Sequence, residues 1–185
     1  MRHGAVEIDV ADGWISATEF PQLLHQYDQS TISADSEPAP ATLERFADYF
    51  IVSSDLARAI DSAQRFHANA PQQRYSLFRE VDGAYLPIPW LKLPPKLWAV
   101  LFIFMWLAGL FAYKQSIRQA KARAELAADT LEKLAEQHDR VLLLGHGFMN
   151  IYIARALRQR AWLGPKTPAK RHWEFGMYSK AALSG

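Results

Sequence analysis

The chain has 185 residues, half of them hydrophobic and 22% charged, with a formal net charge of +2 and no cysteine. That balance predicts one globular domain, not a disordered chain and not two full domains. The absent thiols exclude disulfides and thiolate metal sites, and the small net charge without a Lys/Arg block excludes nucleic acid as the expected partner.

The first 13 residues are polar and lack the apolar stretch of a secretory signal. Together with the absence of cysteine this predicts a cytoplasmic protein. Residues 30–41 (STISADSEPAPA) read as a loop by their Ser, Pro and Asp content. A short helix follows, with Thr42 near its start. Residues 49–54 (YFIVSS) predict a buried strand, because a short aromatic and β-branched run ends in small polar residues. Asp55 then suits the N-cap or first turn of a helix over 56–67, where Leu56, Ile60, Ala63 and Phe66 recur at helical spacing.

Residues 74–80 (RYSLFRE) predict a second short strand, and the Pro-rich stretch 87–95 an irregular connection. From 97 to 113 the chain runs LWAVLFIFMWLAGLFAY without a charge. A membrane-crossing helix needs about 20 apolar residues, about 17 at the low edge. The favoured readings are a buried helix or a lid beside the site, inserted at about 87–113 into the single domain 1–185. Membrane association through 97–113 is the less favoured one. If this helix flanks the site, its Trp, Phe and Met side chains select apolar or aromatic leaving groups, with Phe104 and Trp106 as the residues to test.

A long charged helix is predicted over 115–138, with Ile117, Ala120, Ala124, Ala127, Leu131 and Leu134 forming one apolar stripe. VLLL (141–144) predicts a fully buried strand, then Gly145-His146-Gly147, then a helix from Phe148. Alternating short strands and helices predict an α/β sandwich, with helices on both faces of a mostly parallel sheet. Ligands of such sheets bind beyond the carboxyl ends of the strands. Arg58 and His146 fall just after two of those ends, and Arg2 and His3 stand at the start of the chain. Two arginines and two histidines gathered there form a cationic pocket suited to phosphate.

Arg58 by itself reads first as a surface helix arginine paired with Asp55 or Asp61, and only the company of the other segments draws it into the pocket. His25, His67, His138 and His172 lack special settings and are read as ordinary histidines. HxxxH and HExxH spacings are absent, so no metal is expected, and no cofactor.

Arg2-His3-Gly4, the segment SSDLARAIDSAQ and the segment GHGFMN resemble, in order, three signatures of the histidine phosphatase (phosphoglycerate mutase-like) superfamily. The resemblance implies a three-layer α/β/α sandwich with a mostly parallel sheet and a metal-independent phosphomonoester hydrolase. In it His3 is the nucleophile, forming a phosphohistidine, and Arg2, Arg58 and His146 bind the phosphoryl oxygens. Glu80 is the expected proton donor, with Asp82 its rival and Asp55 a third candidate. A small phosphorylated substrate and inorganic phosphate are the implied partners. The alternatives are a non-catalytic relative that binds phospho-ligands or proteins, and a protein phosphohistidine phosphatase.

Two departures from the family bear on this. Only Met1 precedes the triplet, where a strand normally feeds it, so a charged α-amino group is expected next to the pocket. Residues 5–9 (AVEID) lack the polar pattern of true phosphoglycerate mutases, which favours a phosphatase over a mutase.

Overall fold

A computed structural model describes residues 1–6, 13–66, 73–81, 90–108 and 115–180. Its centre is a parallel sheet of β3 (Gln73–Arg74), β2 (Phe50–Ser53) and β5 (Val141–Leu144), in that spatial order. Ile51 pairs with Leu142 and Ser53 with Leu144. The extreme N-terminus joins the far side of β5 in parallel: the Met1 amino group donates to the Leu143 carbonyl at 2.6 Å, Gly145 N–H to Met1, and His3 N–H to Gly145.

Because side chains alternate along a strand, the sheet has two faces to cover. On one, Ile51, Leu142 and Leu144 pack with Met1, Phe46 and Ala63, under α2 (Pro40–Arg45) and α3 (Ala57–Gln64). On the other, Val52 and Phe50 pack with α5 (Ile117–His138) and α6 (Gly147–Gln159) through Ala124, Ala127, Leu134, Met149 and Ile153. These are the three layers of an α/β sandwich. The alanine stripe of α5 lets α6 approach closely, and a capping box between Ser116 and Gln119 starts the helix. Val141 and Leu143 are only half-buried, because a cavity of about 300 Å³ runs along this edge beside Met1, Leu131, Ile153 and Met177. β5 is therefore not the fully buried strand expected from its composition.

A separate cluster joins α1 (Phe20–Gln29) to α4 (Pro95–Leu107) around Phe20, Trp98, Phe102 and Met105. Beside it, β1 (Ile15–Ser16) pairs antiparallel with β4 (Lys92–Leu93). The described part of the apolar stretch thus lies in a 13-residue helix that starts at a proline, and residues 109–113 lie outside the described residues. Among the described residues no helix is long and apolar enough to cross a membrane. A last hairpin pairs β6 (Trp162–Leu163) with β7 (Ser179–Lys180).

Two local expectations change. Residues 74–80 are not a strand: after the two residues of β3 the chain turns through a 3-10 helix at Ser76–Phe78, and Phe78 enters the core. Asp55 does not cap α3, whose N-cap is Leu56. It makes a two-pronged ion pair with Arg79, at 2.6 and 2.8 Å.

Candidate active site

His3 follows directly from the Met1–Gly145 ladder, so the parallel pairing with β5 fixes where its side chain starts. The next residue must be small. A Cβ on Gly4 would lie 2.5 Å from Trp173 and 2.8 Å from Ser36 Oγ. His3 is 2% exposed. Its Nδ1 sits 2.7 Å from the Gly4 carbonyl, which only accepts, so Nδ1 carries the proton and Nε2 holds the lone pair. Burial pushes the imidazole down to about 3. It outweighs the Gly4 bond, which acts upward, and Arg58, His172 and Arg2 add to the lowering. At neutral pH the ring is uncharged, with the lone pair on Nε2.

His146 is the N-cap of α6, and its ring centre is 5.1 Å from that of His3. Ser54, at the end of β2, places Oγ 2.6 Å from His146 Nε2. Burial holds His146 well below the ordinary histidine range, with Arg58, His3 and Arg2 adding to it. Arg58, on the first turn of α3, is fully buried and not a surface arginine. Its Nη1 donates to the Tyr27 carbonyl and to Asp28, both at 3.0 Å, and its guanidinium lies 4.4 Å over the Tyr27 ring. Asp61 instead accepts from the Ile32 amide. Arg2 donates from Nη1 to the Lys170 carbonyl.

Arg2, His3, Arg58 and His146 therefore meet at the carboxyl ends of β2 and β5. Three buried nitrogens in this group have no hydrogen-bond partner among the described residues: Arg2 Nε, Arg58 Nε and His146 Nδ1. Buried polar atoms are rarely left unmade, and an anion is the ligand that two guanidinium nitrogens and an imidazole nitrogen fit.

Glu80 lies beside His146 but is tied to backbone. Its carboxylate accepts from Val81 at 2.9 Å, Phe148 at 3.2 Å and Met149 at 3.0 Å, at the N-terminus of α6. Arg123 holds the Glu80 carbonyl at 3.0 Å. A Cβ on Gly147 would be 3.7 Å from the Glu80 carboxylate, which places Glu80 against the Gly-His-Gly turn. Asp82 lies outside the described residues. The Met1 α-amino group is buried, and burial lowers it from 8.0 to about 5. It is neutral at neutral pH, contrary to the charged group expected there.

Sequence reasoning missed Tyr27 and Asp28, which anchor Arg58, the serines Ser54 and Ser62, and His172. His172 Nδ1 is 2.9 Å from the His3 carbonyl. From α4, the buried Trp106 ring meets Phe148, two residues on from His146, edge-on at 6.4 Å. Phe104 faces outward and is 67% exposed. Among the described residues no group of three or more His, Asp or Glu is placed to hold a metal ion.

Known proteins share this fold. Residues 1–172 match the profile of the histidine phosphatase superfamily (branch 1). No curated protein sequence matches. Among solved structures, a phosphoglycerate mutase from Bacillus anthracis superposes with a TM-score of 0.56 at 13% identity, over 97% of this chain and 89% of that one. A mycobacterial glucosyl-3-phosphoglycerate phosphatase gives 0.55 at 22% identity, over 85% and 77%. A phosphoserine phosphatase from Entamoeba histolytica, in complex with phosphoserine, gives 0.50 at 16% identity, over 97% and 92%. At these identities the likeness is one of fold. The profile match spans nearly the whole chain, and the protein belongs to the histidine phosphatase superfamily, branch 1.

Proposed function

We propose that the protein is a phosphatase that hydrolyses phosphomonoesters of small molecules through a phosphohistidine on His3, without a metal. The observation that carries this reading is the neutral, buried His3 with its lone pair on Nε2, set among three partnerless buried nitrogens of Arg2, Arg58 and His146. Superfamily membership supports a phosphatase or mutase type of enzyme, and relatives of the same fold are named for small phosphorylated substrates.

In the first step His3 Nε2 attacks phosphorus, the N–P bond forms and the P–O bond to the leaving group breaks. Glu80, as the carboxylic acid, gives its proton to the leaving oxygen. In the second step water attacks the phosphohistidine, Glu80 takes a proton from that water, and inorganic phosphate leaves with His3 restored. Arg2, Arg58 and His146 hold the equatorial oxygens, whose charge is the main thing phosphoryl transfer asks a protein to stabilise.

The test is hydrolysis of an aryl phosphate in the presence of chelator, with His3→Ala alongside. The expected result is turnover by the native chain and none by the variant. Equal turnover in both would overturn the nucleophile assignment. Inorganic phosphate binding without turnover would favour a phospho-ligand binder.

A further inference from the structure

We propose that His172 is a positioning residue of this site, holding the nucleophile's own backbone so that His3 Nε2 points along the line of attack. The inference rests on the phosphatase reading above and adds a residue to it.

Four observations meet at this residue. His172 Nδ1 lies 2.9 Å from the His3 carbonyl, and since that oxygen only accepts, Nδ1 is the donor. The two rings stand 5.3 Å apart, so His3 has His146 and His172 as ring neighbours at nearly equal distances. The residues that follow His172 are bound to the backbone of Arg2, next to His3: Arg2 N–H donates to the Glu174 carbonyl, and Trp173 N–H donates to the Arg2 carbonyl. The Glu174 carboxylate in turn accepts the Lys170 and Arg171 amides at 2.7 and 2.8 Å, closing that segment into a turn.

The fourth is backbone strain. Trp173 adopts φ 63°, a left-handed conformation that bulky residues avoid. Strain of that kind persists where the surroundings over-determine it, and such places cluster at functional sites. Here Trp173 Nε1 donates to Ser36 Oγ at 3.0 Å, and the indole fills the space that only a glycine at position 4 leaves open. The strained residue packs under Gly4 while its neighbour His172 bonds to His3. The titratable and charged groups around His172 are Arg2 and the neutral His3 on the N-terminal segment and Lys170, Arg171 and Glu174 on its own turn.

A group that aligns the nucleophile affects the transition state more than the ground state. Orthovanadate, which binds a nucleophile in trigonal-bipyramidal form, reports the former, and inorganic phosphate reports the latter. The experiment measures both dissociation constants, with melting temperature, for the native chain, His172→Phe and His172→Asn. Phenylalanine keeps the ring volume without the donor, and asparagine keeps an N–H donor. The expected result is vanadate binding weakened tenfold or more in His172→Phe, phosphate binding within twofold of native, and recovery of vanadate affinity in His172→Asn. Unchanged vanadate affinity in His172→Phe would overturn the proposal. So would parallel losses of both ligands and of melting temperature that asparagine does not restore. A native chain that binds neither ligand removes the phosphatase reading itself, and this inference with it.

Discussion

Ser62 accepts the amide proton of Gly4 at 2.9 Å, and its own hydroxyl donates to the Arg58 carbonyl at 2.6 Å. One buried hydroxyl therefore fixes the turn that carries His3 against the helix that carries Arg58. Removing it leaves the Gly4 amide buried and unpaired, at a cost of about 1–3 kcal/mol. Ser62→Ala is expected to lose that much stability in chemical denaturation. Its kcat should fall by up to about 100-fold, since small misplacements of reacting groups are that costly. Native kcat in a destabilised variant would show that the link is structural only.

Glu80 caps α6, and that role can be separated from the proton donation proposed for it. Glu80→Gln keeps an acceptor for the Phe148 and Met149 amides but cannot act as an acid. With an alkyl phosphate, whose leaving group needs protonation, kcat is expected to fall about 100-fold or more. With a nitrophenyl phosphate, whose leaving group departs as an anion, the fall should be much smaller. Equal losses on both substrates would leave Glu80 as a cap.

The buried cationic groups make stability depend on pH with a definite sign. His3 drops from 6.5 to about 3 and the Met1 amine from 8.0 to about 5 on folding. Between those values the unfolded chain binds more protons than the folded one, so stability rises with pH. It is fully present above pH 8, falls as the pH drops towards 5 through Met1, and falls from 6.5 towards 3 through His3. Denaturation midpoints between pH 8 and 5, where carboxylates stay largely ionised, should fall with pH, and less steeply in His3→Gln. A flat profile would contradict this burial.

Trp106 and Phe104 lie on the same helix, but Trp106 packs against Phe148 of α6 while Phe104 faces outward. Trp106→Ala is expected to lower kcat/KM for aryl relative to alkyl phosphates by about 10-fold, the effect of about one methylene of lost contact. Phe104→Ala should leave that ratio unchanged. Identical ratios in all three proteins would mean that α4 takes no part in selectivity.

The strands β2 and β5 and the helices α3, α5 and α6 were legible because each is announced by its own neighbours: a short apolar run, then helical spacing. Arg2, His3, Arg58 and His146 were legible for the same reason, standing in short segments at strand ends. The groups that complete the site were not, because their partners are distant in sequence. Arg58 meets Tyr27 across 31 residues, Ser62 meets Gly4 across 58, Ser54 meets His146 across 92, and His172 meets His3 across 169. Residues 74–80 misled because a short segment read as a strand turns instead through a 3-10 helix, which carries Phe78 into the core. Asp55 misled because capping is a local preference, and a two-pronged pairing with Arg79 outweighed it.

The central claim is that His3 takes the phosphoryl group. It is tested most directly by mixing the protein with an aryl phosphate, quenching within one turnover under alkaline conditions, where phosphohistidine survives, and mapping the label by peptide mass spectrometry. The account predicts a phosphorylated peptide that contains His3, absent from His3→Ala and discharged as inorganic phosphate on a chase without substrate. Turnover with no label on His3, or label on another residue, would contradict it.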